Sequence, residues 1–153
     1  MHDPFAEALP DGVEAVSLDA LCQGSDFISL HAPLSPATRH AIDARRVALV
    51  RPAALLVNTA RGPLVDEAAL VDALERRALL GAGLDVFEHE PLPATSPLHG
   101  LANVVLSDHT GWYSQESVRD LQAKAAAEAV RMLRGEAPLH WLNRWTTEEG
   151  TLQ

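Results

Sequence analysis

Three residue types that can bind a carboxylate and exchange a proton occur in this chain, each just past an apolar run. Arg61 follows Leu55-Leu56-Val57-Asn58-Thr59-Ala60 and precedes Gly62-Pro63. Glu90 follows Leu84-Asp85-Val86-Phe87 and precedes Pro91, and His109 follows Val104-Val105-Leu106-Ser107-Asp108 and precedes Thr110-Gly111. A guanidinium matches a carboxylate as a two-pronged fork. An imidazole can exchange a proton near neutral pH, and a carboxylate bonded to one ring nitrogen fixes the tautomer and favours the protonated ring. Arg, Glu and His at three strand ends therefore suggest a carboxylate-binding redox site, since strand ends are where α/β proteins do chemistry.

Each residue also has a plainer reading. Arg61 could be a surface arginine closing a turn, although the small neighbours Thr59, Ala60, Gly62 and Pro63 clear space for a ligand. Glu90 could belong to a solvated acidic loop with Glu88 and His89, and His109 could cap the last helix. Asp85 could orient a cofactor amide or cap the loop after it, and Trp112 could wall an apolar pocket or sit in the core. Glu88, His89, Glu90 and His99 offer metal-binding groups, but adjacent loop residues do not converge on one ion and no second pair has ligand spacing, so no metal is expected.

The elements that must position these residues read as an α/β alternation. Short apolar runs bounded by turn residues predict strands at 14–17, 27–30, 54–58, 83–86 and 104–106. Helical periodicity falls at 18–22, 43–50, 67–77 and 114–133, with Asp66 opening the third helix, Gly81 stopping it and Gly135 capping the last. The pattern predicts a Rossmann-like parallel sheet buried on both faces by helices. The glycine-rich turn that should open such a sheet is missing: no G-x-G-x-x-G occurs, and Gly81-Ala82-Gly83 enters a strand rather than leaving one for a helix.

Composition narrows the function. A chain of 153 residues, 47% hydrophobic, has the size of one domain. Its 12 Lys and Arg against 21 Asp and Glu leave a charge of -9, which repels phosphate backbones and anionic membrane surfaces, so nucleic acid is not an expected partner. The single cysteine, Cys22, permits no internal disulfide, and a reducing cytoplasm fits. The N-terminus lacks a signal-peptide pattern, and no apolar run reaches the roughly 20 residues that cross a bilayer.

At Asn58-Thr59-Ala60-Arg61-Gly62, Leu64-Val65-Asp66-Glu67, Leu84-Asp85-Val86-Phe87, Glu90-Pro91 and His109 the chain resembles the NAD-binding domain of the D-isomer-specific 2-hydroxyacid dehydrogenases. His109-Thr110-Gly111-Trp112-Tyr113-Ser114 is most similar to the branch containing the C-terminal-binding-protein corepressors. The resemblance implies that Arg61 holds the substrate carboxylate, that Glu90 partners His109, and that His109 is the acid/base. It implies nicotinamide contact at Asp85 and cofactor-lining positions at Thr59, Ala60, Arg61, His109, Gly111 and the loop holding Ala32, Pro33 and Thr38. Asp3 matches the acidic residue that takes the adenosine ribose hydroxyls, favouring NAD over NADP. A partial NAD-binding domain is implied over 1–143, with a tail over 144–153. The implied activity is reduction of a 2-keto acid by NADH; the alternative is a non-catalytic NAD-sensing or interaction module of corepressor type.

The departure from the family is at the N-terminal side. The family's first βαβ unit, with its glycine-rich turn, and its substrate domain have no counterpart here. The fold class expected is therefore an incomplete Rossmann-like α/β domain in which strand 27–30 has an unpaired edge. Such an edge invites another chain, so a truncated reading, a homo-oligomer or completion by another chain is expected.

Overall fold

In the computed structural model, which describes residues 1–139, the chain divides into two compact units, Met1–Gly111 and a second that opens at Trp112. The first unit holds a four-stranded parallel sheet of β1 (Phe27–Leu30), β2 (Leu55–Asn58), β3 (Gly81–Leu84) and β4 (Val104–Leu106), in that spatial order. Its helices are α1 (Leu18–Gly24), α2 (Ala44–Val47) and α3 (Glu67–Glu75). The second unit holds α4 (Gln115–Leu133).

Local chemistry sets the helix starts. Ser17, Asp43, Asp66 and Ser114 each turn a side-chain oxygen onto an otherwise unbonded amide of the first turn, at Ala20, Arg46, Ala69 and Ser117. Such a cap contributes about 1 kcal/mol. Helix α3 then buries Leu70, Ala73 and Leu74 on one stripe. It ends at Glu75 because Arg77 takes the left-handed conformation, φ 54, so the stop expected at Gly81 comes four residues earlier. Gly81 instead begins β3, where a side chain would meet the Asn103 carbonyl oxygen at 2.5 Å. That moves the third strand two residues upstream of the expected 83–86 and leaves Asp85 just beyond its end. Only Ala44–Val47 of the expected helix 43–50 is α-helical; tighter turns carry the chain from there to Pro52. Gly135 is left-handed, φ 74, as expected of a cap.

Two further expectations are corrected. Residues 14–17 form no strand: Val16 donates to the Met1 carbonyl at 2.9 Å and the Met1 amine bonds Glu14, and so short a partner builds no ladder. Among the described residues of the first unit, the sheet is also not buried on both faces. Ile28, Leu56, Ala82 and Leu84 alternate onto one face with the core residues Cys22, Val47, Leu70 and Leu74 of the helices. The other face carries Phe27 and Val105, 73% and 74% exposed. The strand order explains this, because it never reverses: right-handed crossovers through α2 and α3 that always step the same way place their helices on the same side. Among the described residues β1 pairs only with β2, so its outer edge is unpaired there, as expected. The expected tail 144–153, and the end of the domain at 143, lie outside the described residues.

Candidate active site

Because all four strands are parallel and in register, Leu30, Asn58, Leu84 and Leu106 form one row at their carboxyl ends. The segments leaving that row carry nearly every candidate residue. After β2, Asn58 is buried at 1% exposure and shapes the turn: its Nδ2 donates to the Arg61 carbonyl at 2.9 Å and its Oδ1 accepts from the Ala60 amide at 3.1 Å. Arg61 leaves this turn extended and exposed, with Nη1 donating to the Ala60 carbonyl at 2.6 Å. The space expected at Gly62 for a ligand is filled by protein: a Cβ there would lie 1.9 Å from the Phe87 carbonyl carbon and oxygen. Glycine is needed because the Arg61 segment runs directly against the segment that carries Glu90.

After β3, the chain turns back at Phe87, whose amide donates to Oε1 of Glu90 at 3.0 Å. Glu88 is tied from outside, its amide donating to Oε2 of Glu67 at the start of α3, at 3.0 Å. Glu90 Oε2 accepts from Nδ1 of His109 at 2.9 Å, with both side chains about 40% exposed. That bond from His109, followed by the Phe87 amide, outweighs burial and holds the Glu90 carboxyl below the usual range; the charges of His109 and Arg61 push the same way. Glu90 and His109 thus meet directly, and the Arg61 loop abuts the Glu90 loop where Gly62 lies against Phe87 and Glu88.

His109 sits in the left-handed region, φ 51, a conformation that costs about 1–3 kcal/mol for a residue with a side chain. Asp85 holds it there. The Asp85 carbonyl accepts from the His109 amide at 2.8 Å, Oδ1 accepts from Ser107 Oγ at 2.6 Å and the Thr110 amide at 2.8 Å, and Oδ2 accepts from the Gly111 amide at 2.9 Å. Burial alone would raise the Asp85 carboxyl, but the bonds from Ser107, Gly111 and Thr110 outweigh it and hold the group ionised below its usual range. Gly111 must be small here, since a Cβ would meet Asp85 Oδ2 at 2.9 Å and Cγ at 3.3 Å, with Thr59 Cγ2 at 3.7 Å.

The remaining candidates are placed less closely. The loop after β1 is closed on itself, Thr38 Oγ1 donating to the Pro33 carbonyl at 2.7 Å and accepting from the Ser35 amide at 2.8 Å, so Ala32, Pro33 and Thr38 lie at the same sheet end as Thr59 and Ala60. Asp3 lies in the exposed N-terminal segment, its carboxylate accepting from the Phe5 amide at 2.9 Å. Trp112 opens the second unit, 52% exposed, with its ring edge-on to Tyr113 at 5.4 Å. Among the described residues no cluster of His, Cys, Asp and Glu could hold a metal ion, and no helix is long and apolar enough to cross a membrane. Sequence reasoning missed Asn58, Ser107 and Glu67 as supports. Asn58 had a signal, an amide side chain ending an apolar run just before a turn; Ser107 and Glu67 had none, because their partners are remote in sequence.

The donor set fits the nicotinamide end of a dinucleotide. An ionised carboxylate has about four acceptor positions, and three of those on Asp85 are taken, which leaves one for an amide N–H beside Thr59 and Gly111.

Residues 1–111 match the family described as D-isomer specific 2-hydroxyacid dehydrogenase, NAD binding domain. Glyoxylate reductase of Korarchaeum cryptofilum is 43% identical over 133 residues, which cover 87% of this chain and 40% of that protein. The solved structure of the TT0316 protein from Thermus thermophilus aligns with a TM-score of 0.83 at 38% identity, over 89% of this chain and 43% of that one. D-lactate dehydrogenase with NAD+ from Lactobacillus jensenii aligns with a TM-score of 0.78 at 31% identity, over 85% and 43% of the two chains. The chain therefore spans less than half the length of each of these relatives. They lend no support to the narrower corepressor-like branch or to the corepressor-type alternative. With most of its own residues, 1–111, matched to that family, this chain belongs to the D-isomer specific 2-hydroxyacid dehydrogenases and carries sequence of their NAD-binding domain.

Proposed function

We propose that this chain is the NAD-binding and proton-transfer part of an oxidoreductase that interconverts a 2-keto acid and a 2-hydroxy acid. The observation that carries the reading is the 2.9 Å bond between His109 Nδ1 and Glu90 Oε2, beside the loop of Arg61. Glu90 orients the ring through Nδ1, so that Nε2 gives a proton to the keto oxygen or takes one from the hydroxyl. Arg61 swings from the Ala60 carbonyl to grip the substrate carboxylate through its fork. NAD, when bound, supplies or accepts the hydride. Asp85, Thr59, Ala60 and Gly111 would hold its nicotinamide end, and the loop with Ala32, Pro33 and Thr38 would line the cofactor. Asp3 as the ribose-binding acid and Trp112 as a wall of the substrate pocket rest on the family resemblance. The similarity to a glyoxylate reductase and a D-lactate dehydrogenase fits small 2-keto and 2-hydroxy acids as the substrate class. A cytoplasmic setting, and association with a second copy or another chain along the unpaired edge of β1, complete the proposal.

The test is titration calorimetry with NADH and glyoxylate or pyruvate, followed by turnover. His109→Ala should lower kcat about 10²–10⁴-fold, the usual worth of a general acid. Arg61→Ala should raise KM about 10–100-fold, the value of one charge-assisted pair. Absence of NADH binding at millimolar concentration, or unchanged kinetics in either variant, would refute the assignment for this chain.

A further inference from the structure

A second histidine–glutamate pair joins the loops around the candidate site. His40 Nε2 donates to Oε1 of Glu88, with Arg39 Nη2 at 3.9 Å from the same oxygen; the side chains of His40 and Glu88 are 34% and 21% exposed. We propose that His40 and Glu88 are positioning residues, a buckle that fastens the cofactor-side loop and the Arg61 segment to the loop presenting Glu90. Its consequence for catalysis rests on the function proposed above; its consequence for Glu90 does not.

The chain around His40 is built for this. Thr38 closes the loop after β1, and two residues later His40 turns left-handed, φ 51, a conformation rare for residues bearing a side chain. The turn sends its amide to the Pro63 carbonyl at 2.8 Å, and the next steps add Ile42 to Leu64 at 3.0 Å and Asp66 to Ile42 at 2.9 Å. The backbone after His40 is thereby laced to the segment following Arg61. The ring reaches the other way, across 48 residues of sequence, to Glu88. Glu88 in turn is anchored through its amide to Glu67 and lies two residues before Glu90, whose carboxylate closes the same turn on the Phe87 amide. An ordinary surface ion pair contributes little. This one is half-buried and joins the three loops that carry the cofactor-lining residues, Arg61 and Glu90. Neither residue reaches the reacting atoms, so both act through Glu90.

The experiment uses the 153-residue chain and follows the Glu90 carboxyl by 13C NMR as pH is varied, with no substrate present. Glu88→Ala removes the buckle, while Glu88→Gln keeps an acceptor for His40. His40→Asn keeps a residue that tolerates the left-handed backbone but shortens the reach. A thermal melt of each sample separates local loosening from unfolding. The Glu90 midpoint is held low chiefly by His109. In Glu88→Ala and His40→Asn it should rise by about half a unit or more, and in Glu88→Gln it should stay near the wild-type value. If Glu88→Ala fails to fold, His40→Asn against Glu88→Gln makes the same comparison. An unchanged midpoint in a folded Glu88→Ala or His40→Asn chain overturns the proposal. A midpoint that rises supports it even if the wild-type chain reduces no keto acid, an outcome that counts against the functional reading alone; a midpoint that falls, as loss of the nearby Glu88 charge would by itself produce, counts against the buckle.

Discussion

Replacing Gly62 by alanine tests whether the arginine and glutamate loops truly abut. The added methyl would lie 1.9 Å from the carbonyl carbon and oxygen of Phe87 and 2.6 Å from the Glu88 nitrogen. Carbon atoms settle at about 3.5–4.0 Å, so the two segments must part by roughly 1.5 Å or more. No side chain can rotate away, because the obstruction is backbone. Phe87 is itself pinned, 6% exposed in the core, with its amide on Glu90 and the next amide on Glu67. Overpacking costs about 1–3 kcal/mol, and a backbone obstruction belongs at the upper end. Stiffening of the unfolded chain by alanine returns about 0.4–1 kcal/mol. The net loss expected is about 2 kcal/mol, or a fall in Tm of about 4–8 °C for a chain of this size. Urea unfolding followed by far-UV circular dichroism measures it against Gly100→Ala, where an added Cβ meets nothing within 4 Å. A displacement of an ångström at the reacting groups can also cost about 10²-fold in kcat. If Gly62→Ala matches Gly100→Ala within about 0.5 kcal/mol, the close approach of the two loops is wrong.

Asp85→Asn should destabilise the chain by about 2–3 kcal/mol at pH 7, since it weakens charge-assisted bonds to a buried carboxylate. The Asp85 carboxyl is depressed on folding, so its stabilisation is complete above its ordinary value of 3.8 and is lost as pH falls through the lower folded value; urea melts at pH 7 and pH 3 should show the gap between wild type and variant narrowing in acid, and a gap that widens would contradict the assignment. Glu90→Gln should follow the same sign from its ordinary value of 4.5, with a smaller amplitude because Glu90 is more exposed. Asn58→Ala strands the Ala60 amide and the Arg61 carbonyl and should cost about 1–3 kcal/mol, read as a lowered Tm; an unchanged Tm would mean that water replaces the side chain without loss. Gly111→Ala should press on the Asp85 carboxylate and loosen the His109 turn, visible as faster amide exchange at Thr110 than in Gly100→Ala.

The residues that could do chemistry were legible in the sequence because each sits just past an apolar run, and a short apolar run followed by a turn announces a strand end without help from the rest of the chain. The helix start at Asp66 was legible for a similar reason, since a cap acts on an amide only three residues away, whereas Ser17, read as the end of a strand, proved to cap the first helix. Strand β3 was displaced because Gly81 and Gly83 look like punctuation locally, and only the Asn103 carbonyl beside Gly81 explains why glycine stands inside a strand.

What the sequence determined by itself, then, was the alternation of elements and the identity of Arg61, Glu90 and His109 as the groups at strand ends. The tertiary structure decided how they are held: Gly62 against Phe87, Asp85 gripping the turn of His109, and His40 reaching Glu88. It also decided that the first unit's helices α2 and α3 lie on one face of the sheet, because that follows from the direction in which successive right-handed crossovers step and not from the hydrophobicity of any strand. Hydrogen bonds and close contacts between segments far apart in sequence leave no periodic mark on either segment, so they exist as information only once the chain has folded.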